Sequence, residues 1–501
     1  MFPLVLASTV PRSDSGNSLT PPTTARFPEL PKRPSSVPNA PVKVNEVLIL
    51  PIEGLVLGGQ ALAHHEGKVV FVDRGLPGDV VRARLRKVRS RFAEARLEAV
   101  EGASPDRVVA PCPHVHQCGG CRFQDLDYSA QCAVKERQVL ETLIHLAGIE
   151  APRVLPLIRA PEPFGYRNKM EFSFHPAPDG RAVLGLHERG TFDRVFELDD
   201  CLLPSRLTVE IVKVTQEHAH DHGWPAYHPR HHHGHVRHLV VRHLPLTDQC
   251  AVHLVAAVED LPGLEVWAKR VAALSPAVRT VSLLVNRSRS NVAAGEHERL
   301  LIGDGMLIER LLDLDFEVGS GAFLQTNSRQ AETLYQQALE AADIRPDETV
   351  LDLYCGSGTL TLLCARAARE AIGVESVDEA VTSARRNAVR NRLGNARFVA
   401  GEVRRVLREW ARNERAEPAH PDVVIVDPPR AGLHPRVVAR TAELKPRRIV
   451  YVSCNPGTLA RDLKDFASFG YRLEEVTPVD MFPHTPHIEC VARLERAASG
   501  G

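Results

Sequence analysis

The segment VVIVDPPRAGL at residues 423–433, followed by IVYVSCNPGTL at residues 449–459, indicates the fold of the C-terminal half of the chain. Each piece begins with a short apolar run rich in β-branched residues and continues into turn-forming residues, which is the pattern of a buried strand. Asp427 follows the first run and Cys454 follows the second. Because ligands collect at the carboxyl ends of strands in open α/β sheets, both side chains are candidates for a functional site. A lone cysteine is more often a core residue, so the assignment of Cys454 depends on its surroundings.

Strand and helix patterns alternate from about residue 319 onward, which predicts an α/β fold with a doubly wound, Rossmann-like sheet over residues 319–501. TVLDLYCGSGTLTLL has the pattern of a strand, a glycine turn and a helix, and Glu375 ends the next strand. An acidic residue at that place accepts hydrogen bonds from ribose hydroxyls. The turn lacks the third glycine of the dinucleotide fingerprint, so a nicotinamide cofactor is the weaker choice. The turn and Glu375 together resemble the cofactor site of class I S-adenosylmethionine methyltransferases, which implies that cofactor.

Composition and charge are those of an ordinary globular protein. The 501 residues suffice for roughly two to four domains. With 62 basic and 62 acidic residues the net charge is zero, so a nucleic-acid partner has to be inferred from local clusters. No apolar run approaches the ~20 residues that span a bilayer, and the first residues lack the basic region of a signal peptide. Ten cysteines are too few for a disulfide scaffold of this length, which favours the reducing cytoplasm.

The N-terminal part divides into a tail and a small β domain. Residues 1–43 are rich in Pro, Ser and Thr, which predicts disorder. Residues 44–103 contain four or five short strands, which predicts a small OB-like β-barrel. Arg82, Arg84 and Arg86 share one face of a strand, as either an RNA-binding stripe or a charged edge strand would require. The region resembles a TRAM domain, a small RNA-binding barrel, and this resemblance favours RNA.

A cluster of cysteines follows the barrel. Cys112, Cys118 and Cys121 lie within ten residues, a spacing that suits a metal ion or an iron–sulfur cluster. Such a site requires a fourth ligand, and Cys201, in a polar turn, is a better candidate than Cys132, which begins a helical stretch. The spacing alone favours zinc over iron.

The central region, residues 104–318, has mixed α and β character. A helical pattern ends at Gly148, and the sequence YRNK at residues 166–169 combines groups that stack on a base and bind phosphate. The histidine-rich run at residues 227–235 is either a metal site or a solvated loop. We expect the loop of a hairpin, with residues 236–242 as its second strand.

Several motifs, in their order along the chain, resemble those of the RNA uracil-5-methyltransferase family over about residues 44–494. They are FLQTN at 323–327, DLYCG at 352–356, Glu375, DPPR at 427–430, SCNP at 453–456 and HIE at 487–489. The resemblance implies that Cys454 is the nucleophile and Glu489 the general base. It also implies S-adenosylmethionine contacts from Gln325, Tyr354, Gly356, Glu375 and Asp427.

The barrel and the cysteine cluster are similar to the branch of this family that methylates 23S ribosomal RNA. That resemblance implies a 4Fe–4S cluster rather than zinc, on Cys112, Cys118, Cys121 and Cys201. We expect a monomer without an obligate protein partner. A tRNA uracil-5-methyltransferase and a non-enzymatic RNA-binding protein are the alternatives. Amino-methyltransferases have an aromatic residue after their Asp-Pro-Pro motif, whereas Arg430 stands here.

The chemistry of uracil explains why these residue types are needed. Carbon 5 is a poor nucleophile, and addition of a thiolate at carbon 6 gives an enolate-like ring whose carbon 5 attacks a methyl donor. Because the thiolate is the reactive form, this predicts a lowered pKa for Cys454. A base then removes the carbon 5 proton, a task that suits Glu489. Arg430 or a backbone amide is the candidate for stabilising the oxyanion, and the uridine has to leave its stack to be reached.

Overall fold

The computed structural model describes residues 42–411 and 420–497. The disordered tail predicted for residues 1–43 therefore lies outside the described residues, apart from its last two. The described chain forms a six-stranded sheet, two seven-stranded sheets and a two-stranded hairpin. Within these ranges no helix combines the length and the apolar character needed to cross a bilayer.

The first sheet has the strand order β1-β5-β6-β4-β3-β2. Its strands are β1 (Val47–Pro51), β2 (Gly54–Leu55), β3 (Ala61–His65), β4 (Lys68–Val72), β5 (Val80–Val88) and β6 (Phe92–Gly102). Apolar residues alternate with polar ones along β5, so one face of the sheet packs around a core of its own. Leu50, Val72 and Leu85 are completely buried in that core.

The predicted arginine stripe lies on the exposed face of β5, and part of it is ion-paired. Arg82, Arg84 and Arg86 are all exposed. Arg82 Nη1 lies 3.1 Å from Glu101 of β6, and Arg84 Nε donates to Glu98 of β6 at 2.6 Å. The stripe therefore presents less net positive charge than its sequence indicates.

The central sheet has the order β13-β12-β11-β10-β7-β8-β9. Its strands are β7 (Lys169–Pro176), β8 (Ala182–His187), β9 (Val195–Glu197), β10 (Val236–Leu244), β11 (Gln249–Ala256), β12 (Val278–Val285) and β13 (His297–Ile302). Its region also contains α1 (Tyr128–Thr142), which continues into a π-helical turn (Leu143–Ala147), α2 (Arg206–Asp221) and α3 (Leu264–Ala272). Gly148 ends the first helix in a left-handed conformation, as the sequence predicts.

The histidine-rich run forms a tight loop, closed by a bridge between His228 and His233. The prediction that residues 236–242 form the second strand of a hairpin with that loop is wrong. The strand exists as β10, but it pairs with β7 and β11. Burial of every position of β10 except His243 explains the difference, because a strand with partners on both sides lies inside a sheet.

The C-terminal sheet has the order β18-β17-β16-β19-β20-β22-β21, and β16 to β20 are parallel. Its strands are β16 (Thr349–Leu353), β17 (Glu370–Glu375), β18 (Ala396–Ala400), β19 (Val423–Val426), β20 (Arg448–Ser453), β21 (Tyr471–Val479) and β22 (Glu489–Arg496). The helices are α4 (Ser328–Ala342), α5 (Thr359–Ala365), α6 (Asp378–Arg390), α7 (Val403–Ala411), α8 (Pro435–Glu443) and α9 (Pro456–Ser468). The predicted α/β fold is confirmed, and β19 and β20 are buried at every position, as strands covered on both faces must be.

A hairpin of β14 (Leu307–Leu311) and β15 (Leu314–Val318) joins the central and C-terminal regions. Its apolar side chains belong to the hydrophobic core that contains Val350 of β16. The domain boundary predicted at residue 319 therefore assigns this hairpin to the central region, although the hairpin packs in the core that contains Val350.

Candidate active site

Cys454, directly after β20, and Glu489, the first residue of β22, lie at the same edge of the C-terminal sheet. β20 and β22 are antiparallel, and their register pairs Ser453 with Cys490. Because Cys454 follows Ser453 and Glu489 precedes Cys490, both side chains are at the carboxyl end of β20. Asn455 then ends the strand, and its side chain accepts a hydrogen bond of 3.0 Å from the backbone of the first turn of α9.

The surroundings of Cys454 favour its protonated form. Burial, and then the nearby carboxylates of Glu489 and Asp427, raise the pKa of this thiol to about 11, while the charge of Arg430 opposes them. The sequence predicts a lowered pKa for Cys454, whereas in the structure of the protein alone this pKa is raised. The thiol needs an additional positive charge nearby to become a thiolate near neutral pH.

Three acidic residues, of which Asp352 and Glu489 are buried and Asp427 is half-buried, give the site an unusual charge balance. Burial, and then the charge of Asp352, raises the pKa of Asp427 to about 7. Burial raises the pKa of Asp352 to about 6, although Thr361 donates a 2.6 Å hydrogen bond to it. The pKa of Glu489 is well above its usual value because of burial and the charge of Asp427. Carboxyl groups so placed favour a bound cation, because a cation stabilises their ionised forms.

The glycine turn after β16 brings the backbone close to these groups. Tyr354 has a positive φ of 67°, a strained conformation for a residue with a side chain. A Cβ on Gly358 would lie 2.8 Å from the ring of Phe398, so the turn has no room for a larger residue there. The backbone N–H of Gly356 donates to Glu375 at 3.1 Å, which fixes this carboxylate beside the turn.

One cavity of about 1060 Å³, here called the large cavity, brings these features together. It is lined by every residue that the sequence singled out for catalysis or cofactor binding, namely Cys454, Glu489, Gln325, Tyr354, Gly356, Glu375 and Asp427. Arg167, Arg430 and His487 also line it. Sequence reasoning missed Glu298, which reaches the cavity from β13 and accepts a hydrogen bond of 2.8 Å from Ser320. No motif in the sequence marks Glu298.

The segment 319–326, here called the strap, forms the wall of the large cavity on the side of the central sheet. Two central residues hold its backbone. The Asn168 side chain donates to the carbonyl of Gln325 at 2.9 Å, and Arg242 donates to the carbonyl of Ala322 at 2.7 Å. The central region therefore positions Gln325 at the large cavity.

A second cavity of about 710 Å³, the cysteine cavity, lies on the other side of the strap. It is lined by all four predicted ligands, Cys112, Cys118, Cys121 and Cys201. Burial and then neighbouring groups raise the pKa of Cys121 to about 11 and that of Cys201 to about 12, and the other thiols of the set contribute to both shifts.

All four cysteines are free, and four thiols around one cavity are the donor set of an iron–sulfur cluster. Within residues 42–411 and 420–497, however, no group of three or more His, Cys, Asp or Glu side chains has an arrangement that could hold a metal ion. The structure thus brings the four predicted ligands to one cavity without a formed metal site.

The combination of sheet and site defines a class of enzyme. A parallel sheet that presents a glycine turn, Glu375 and buried carboxylates at its carboxyl edge is the fold of a class I S-adenosylmethionine-dependent methyltransferase.

Comparisons with known proteins narrow this class. The profile of the family tRNA (Uracil-5-)-methyltransferase matches residues 259–497, and that of the TRAM domain matches residues 41–97. An uncharacterized RNA methyltransferase of Chlorobaculum tepidum is 41% identical over 86% of this chain and 92% of its own. Another, of Halalkalibacterium halodurans, is 37% identical over 91% of this chain and 98% of its own.

A solved structure agrees with these relatives. The Pyrococcus abyssi tRNA (uracil-54, C5)-methyltransferase in complex with S-adenosyl-L-homocysteine superposes with a TM-score of 0.71. It is 31% identical and covers 89% of this chain and 99% of its own. The chain therefore belongs to the RNA uracil-5-methyltransferase family, whose methyl donor is S-adenosylmethionine.

Proposed function

We propose that this protein methylates carbon 5 of a uridine in 23S ribosomal RNA through a covalent intermediate on Cys454. The observation that carries the proposal is the convergence of Cys454 and Glu489, from adjacent strands, on the cavity that also contains the candidate cofactor residues. Covalent catalysis at uracil needs a thiol and a base that both reach the same uracil ring, and Cys454 and Glu489 both line the large cavity.

The first half of the reaction forms two bonds. The Cys454 thiol gives up its proton to solvent, and its sulfur adds to carbon 6 of the uracil. The electrons of the ring double bond then attack the methyl group of the sulfonium from carbon 5, and S-adenosylhomocysteine leaves. The sulfonium also supplies a positive charge beside Asp427 and Cys454, which favours the thiolate that the structure alone disfavours.

The second half restores the ring. Glu489, as a carboxylate, takes the proton from carbon 5, the double bond forms again, and the bond between carbon 6 and the Cys454 sulfur breaks. Arg430 lines the same cavity on an exposed turn, where its charge stabilises the oxyanion that develops on the ring. Gln325, Tyr354 and Glu375 hold the cofactor.

Two classes of RNA are candidate substrates. The barrel and the cysteine set support 23S ribosomal RNA by their resemblance to that branch. A tRNA is the second candidate, because the Pyrococcus abyssi tRNA (uracil-54, C5)-methyltransferase covers 89% of this chain with a TM-score of 0.71. We place the reaction in the cytoplasm, carried out by a monomer, and the ten free cysteines support a reducing compartment.

We also propose a 4Fe–4S cluster in the cysteine cavity, on Cys112, Cys118, Cys121 and Cys201. Four thiols on one cavity suit either metal, and the resemblance to the 23S ribosomal RNA branch supports the cluster over a single zinc ion. The cluster would link the segment around Cys118 to the turn at Cys201.

Release of tritium from RNA labelled at carbon 5 of uridine tests the reaction directly. We expect release that depends on S-adenosylmethionine, and its loss by at least ~10⁴-fold in Cys454→Ala, because no other group forms the adduct. Cys250→Ala, in the central sheet, is the control. Normal release by Cys454→Ala would exclude the covalent route.

Assays with separate transcripts of 23S ribosomal RNA and tRNA identify the substrate class. We expect incorporation of labelled methyl groups into the ribosomal transcript only. Incorporation into tRNA alone assigns the protein to the second candidate and removes the 23S proposal.

A further inference from the structure

The connection between β21 and β22 contributes side chains to the large cavity. Residues 480–488, here called the β21–β22 loop, join two antiparallel strands in which Val479 pairs with Glu489. Phe482 and His487 of this loop, and Glu489 directly after it, line the large cavity. Because Glu489 is the first residue after the loop, the conformation of the loop influences where the proposed base lies.

Four consecutive residues of the β21–β22 loop are bonded through their backbone to side chains from other segments. The carbonyls of Met481, Phe482 and Pro483 accept hydrogen bonds from Asn327 at 3.0 Å, Lys135 at 3.1 Å and Tyr166 at 3.0 Å, and the N–H of His484 donates to Gln131 at 3.0 Å. His484 has a positive φ of 65°, a strained conformation for a residue with a side chain. Such strain persists only where the surrounding contacts fix the backbone, so the loop is held in one conformation.

The charged part of this arrangement is a completely buried ion pair between α1 and the start of the loop. Lys135 Nζ lies 2.6 Å from Oδ1 of Asp480, and neither side chain is exposed to solvent. The Tyr128 hydroxyl donates to the other carboxylate oxygen of Asp480 at 2.9 Å. Tyr128, Gln131 and Lys135 share one face of α1, because they are spaced by three and four residues.

Stability alone does not account for this buried pair. Burial of two charges has a desolvation cost that their attraction barely repays, and apolar replacements of buried ion pairs often leave stability unchanged or raise it. Position accounts for it better. Lys135 Nζ bonds to the carboxylate of Asp480, the residue after Val479, and to the carbonyl of Phe482, two residues further on. One ammonium group therefore fixes the path of the chain as it leaves β21.

We propose that Lys135 is a positioning residue for the proton transfer to Glu489. Lys135 holds the β21–β22 loop, through Asp480 and Phe482, where the Glu489 carboxylate meets the proton on carbon 5 of the methylated adduct. In that step the proton passes to Glu489, the electrons of its bond to carbon 5 re-form the ring double bond, and the sulfur leaves carbon 6 as a thiolate. The inference rests on the proposed function, since it takes Glu489 to be the base.

The two halves of the reaction respond differently to a displaced base. Methyl transfer uses Cys454 and the cofactor, whereas elimination requires Glu489 within hydrogen-bond reach of the carbon 5 proton. A misplacement of about 1 Å costs up to ~10²-fold in the rate of a step that depends on such geometry. Loss of the anchor at Lys135 is therefore expected to slow elimination and to spare methyl transfer.

Single-turnover reactions with a 23S ribosomal RNA transcript, tritiated at carbon 5 of uridine, separate the two steps. Quenching in denaturant and gel electrophoresis measure the covalent adduct, and tritium in the solvent measures elimination. In Lys135→Met/Asp480→Asn, neutral side chains of similar size replace both charges. We expect adduct formation near the wild-type rate and tritium release slowed by ~10-fold, so that the adduct accumulates. A smaller fraction of folded protein lowers both signals equally and leaves their ratio unchanged.

Two further variants make the result specific. Arg448→Met/Glu495→Gln removes a largely buried ion pair of the same length, 2.6 Å, at the other end of β22, and we expect the wild-type ratio of adduct to release. Tyr128→Phe deletes only the hydroxyl that bonds to Asp480, and we expect release slowed by about 3-fold. Tyr128→Phe decides the question if the Lys135→Met/Asp480→Asn protein does not fold.

A wild-type ratio of adduct to release in folded Lys135→Met/Asp480→Asn overturns the proposal, as does equal slowing of both steps. Accumulation of adduct in Arg448→Met/Glu495→Gln also overturns it. If only Tyr128→Phe folds, a wild-type ratio in that variant has the same meaning. Failure of the proposed function is distinguishable, because it shows as absence of tritium release by the wild-type enzyme.

Discussion

The large cavity and the cysteine cavity, on either side of the strap, differ in the atoms that they present. In the large cavity, burial raises the pKa of Asp427 to about 7 and that of Glu489 well above its usual value. In the cysteine cavity, burial raises the pKa of Cys121 to about 11 and that of Cys201 to about 12. Both cavities thus hold acidic groups whose ionised forms are disfavoured by burial.

The two cavities differ in the kind of cation that their acidic groups bind best. Carboxylates are hard oxygen donors and stabilise an organic cation through charge and hydrogen bonds. Thiolates are soft and form short covalent bonds to iron or zinc. The same physical feature, burial of acidic groups, is therefore shared by the cavity of the S-adenosylmethionine site and the cavity of the proposed metal cluster.

Removing the base from the large cavity gives a large expected effect, second to that of Cys454→Ala. Glu489→Gln lowers turnover by ~10³-fold, because the amide does not take the carbon 5 proton. A covalent protein–RNA adduct then accumulates, visible on a denaturing gel. Glu495→Gln, at the other end of β22, is the control. Product release at the wild-type rate by Glu489→Gln contradicts its role.

Removing one thiol tests the cysteine cavity in the same way. The wild-type protein, purified without oxygen, is expected to contain about four irons per chain with broad visible absorbance. Cys201→Ser loses most of that iron, whereas Cys132→Ser, on α1, retains it. Iron analysis and absorbance measure both. A colourless wild-type protein with one zinc ion contradicts the cluster.

A smaller effect is expected on the acidity of Cys454. The pKa of this thiol, about 11 in the protein alone, falls by about one unit when the positive sulfonium binds. Alkylation of Cys454 at pH 8 then becomes about 10-fold faster, because the thiolate is the reactive form. Mass spectrometry of the Cys454 peptide across a pH series measures this. An unchanged profile with bound S-adenosylmethionine shows that the cofactor does not activate the thiol.

The smallest effect concerns the strap between the cavities. Asn168→Ala removes the hydrogen bond to the carbonyl of Gln325, a loss of about 1 kcal/mol or ~5-fold in S-adenosylmethionine affinity. Asn291→Ala, which removes a side chain 3.2 Å from His238, is the control. Calorimetric titration measures both. Equal affinity in the two variants shows that the strap does not depend on Asn168.

The C-terminal fold and the positions of the site residues could be predicted because local pattern and topology agree there. β19 and β20 are continuous β-branched runs, and parallel strands bring their carboxyl ends to one edge. Asp427 and Cys454 therefore lie at the same edge of the sheet, although 26 residues lie between them in the sequence.

What the sequence did not predict depends on register and on distant contacts. The pairing of β5 with β6 contains irregularities that no local pattern indicates, and within this register Arg82 and Arg84 form ion pairs with Glu101 and Glu98, each two residues beyond the directly paired position. Asn168 and Gln325 are 157 residues apart in sequence. The raised pKa of Cys454 likewise results from burial beside carboxylates that come from other strands.

Incubation with RNA that carries 5-fluorouridine tests the central claim, the bond between Cys454 and uracil, most directly. Fluorine at carbon 5 does not leave as a proton, so the reaction stops after methyl transfer with the covalent bond intact. We predict a protein–RNA complex whose digestion yields a methylated fluorouridine on the peptide that contains Cys454. A cross-link at a different cysteine, or methylation of ordinary RNA without any cross-link to the fluorinated RNA, would contradict the account.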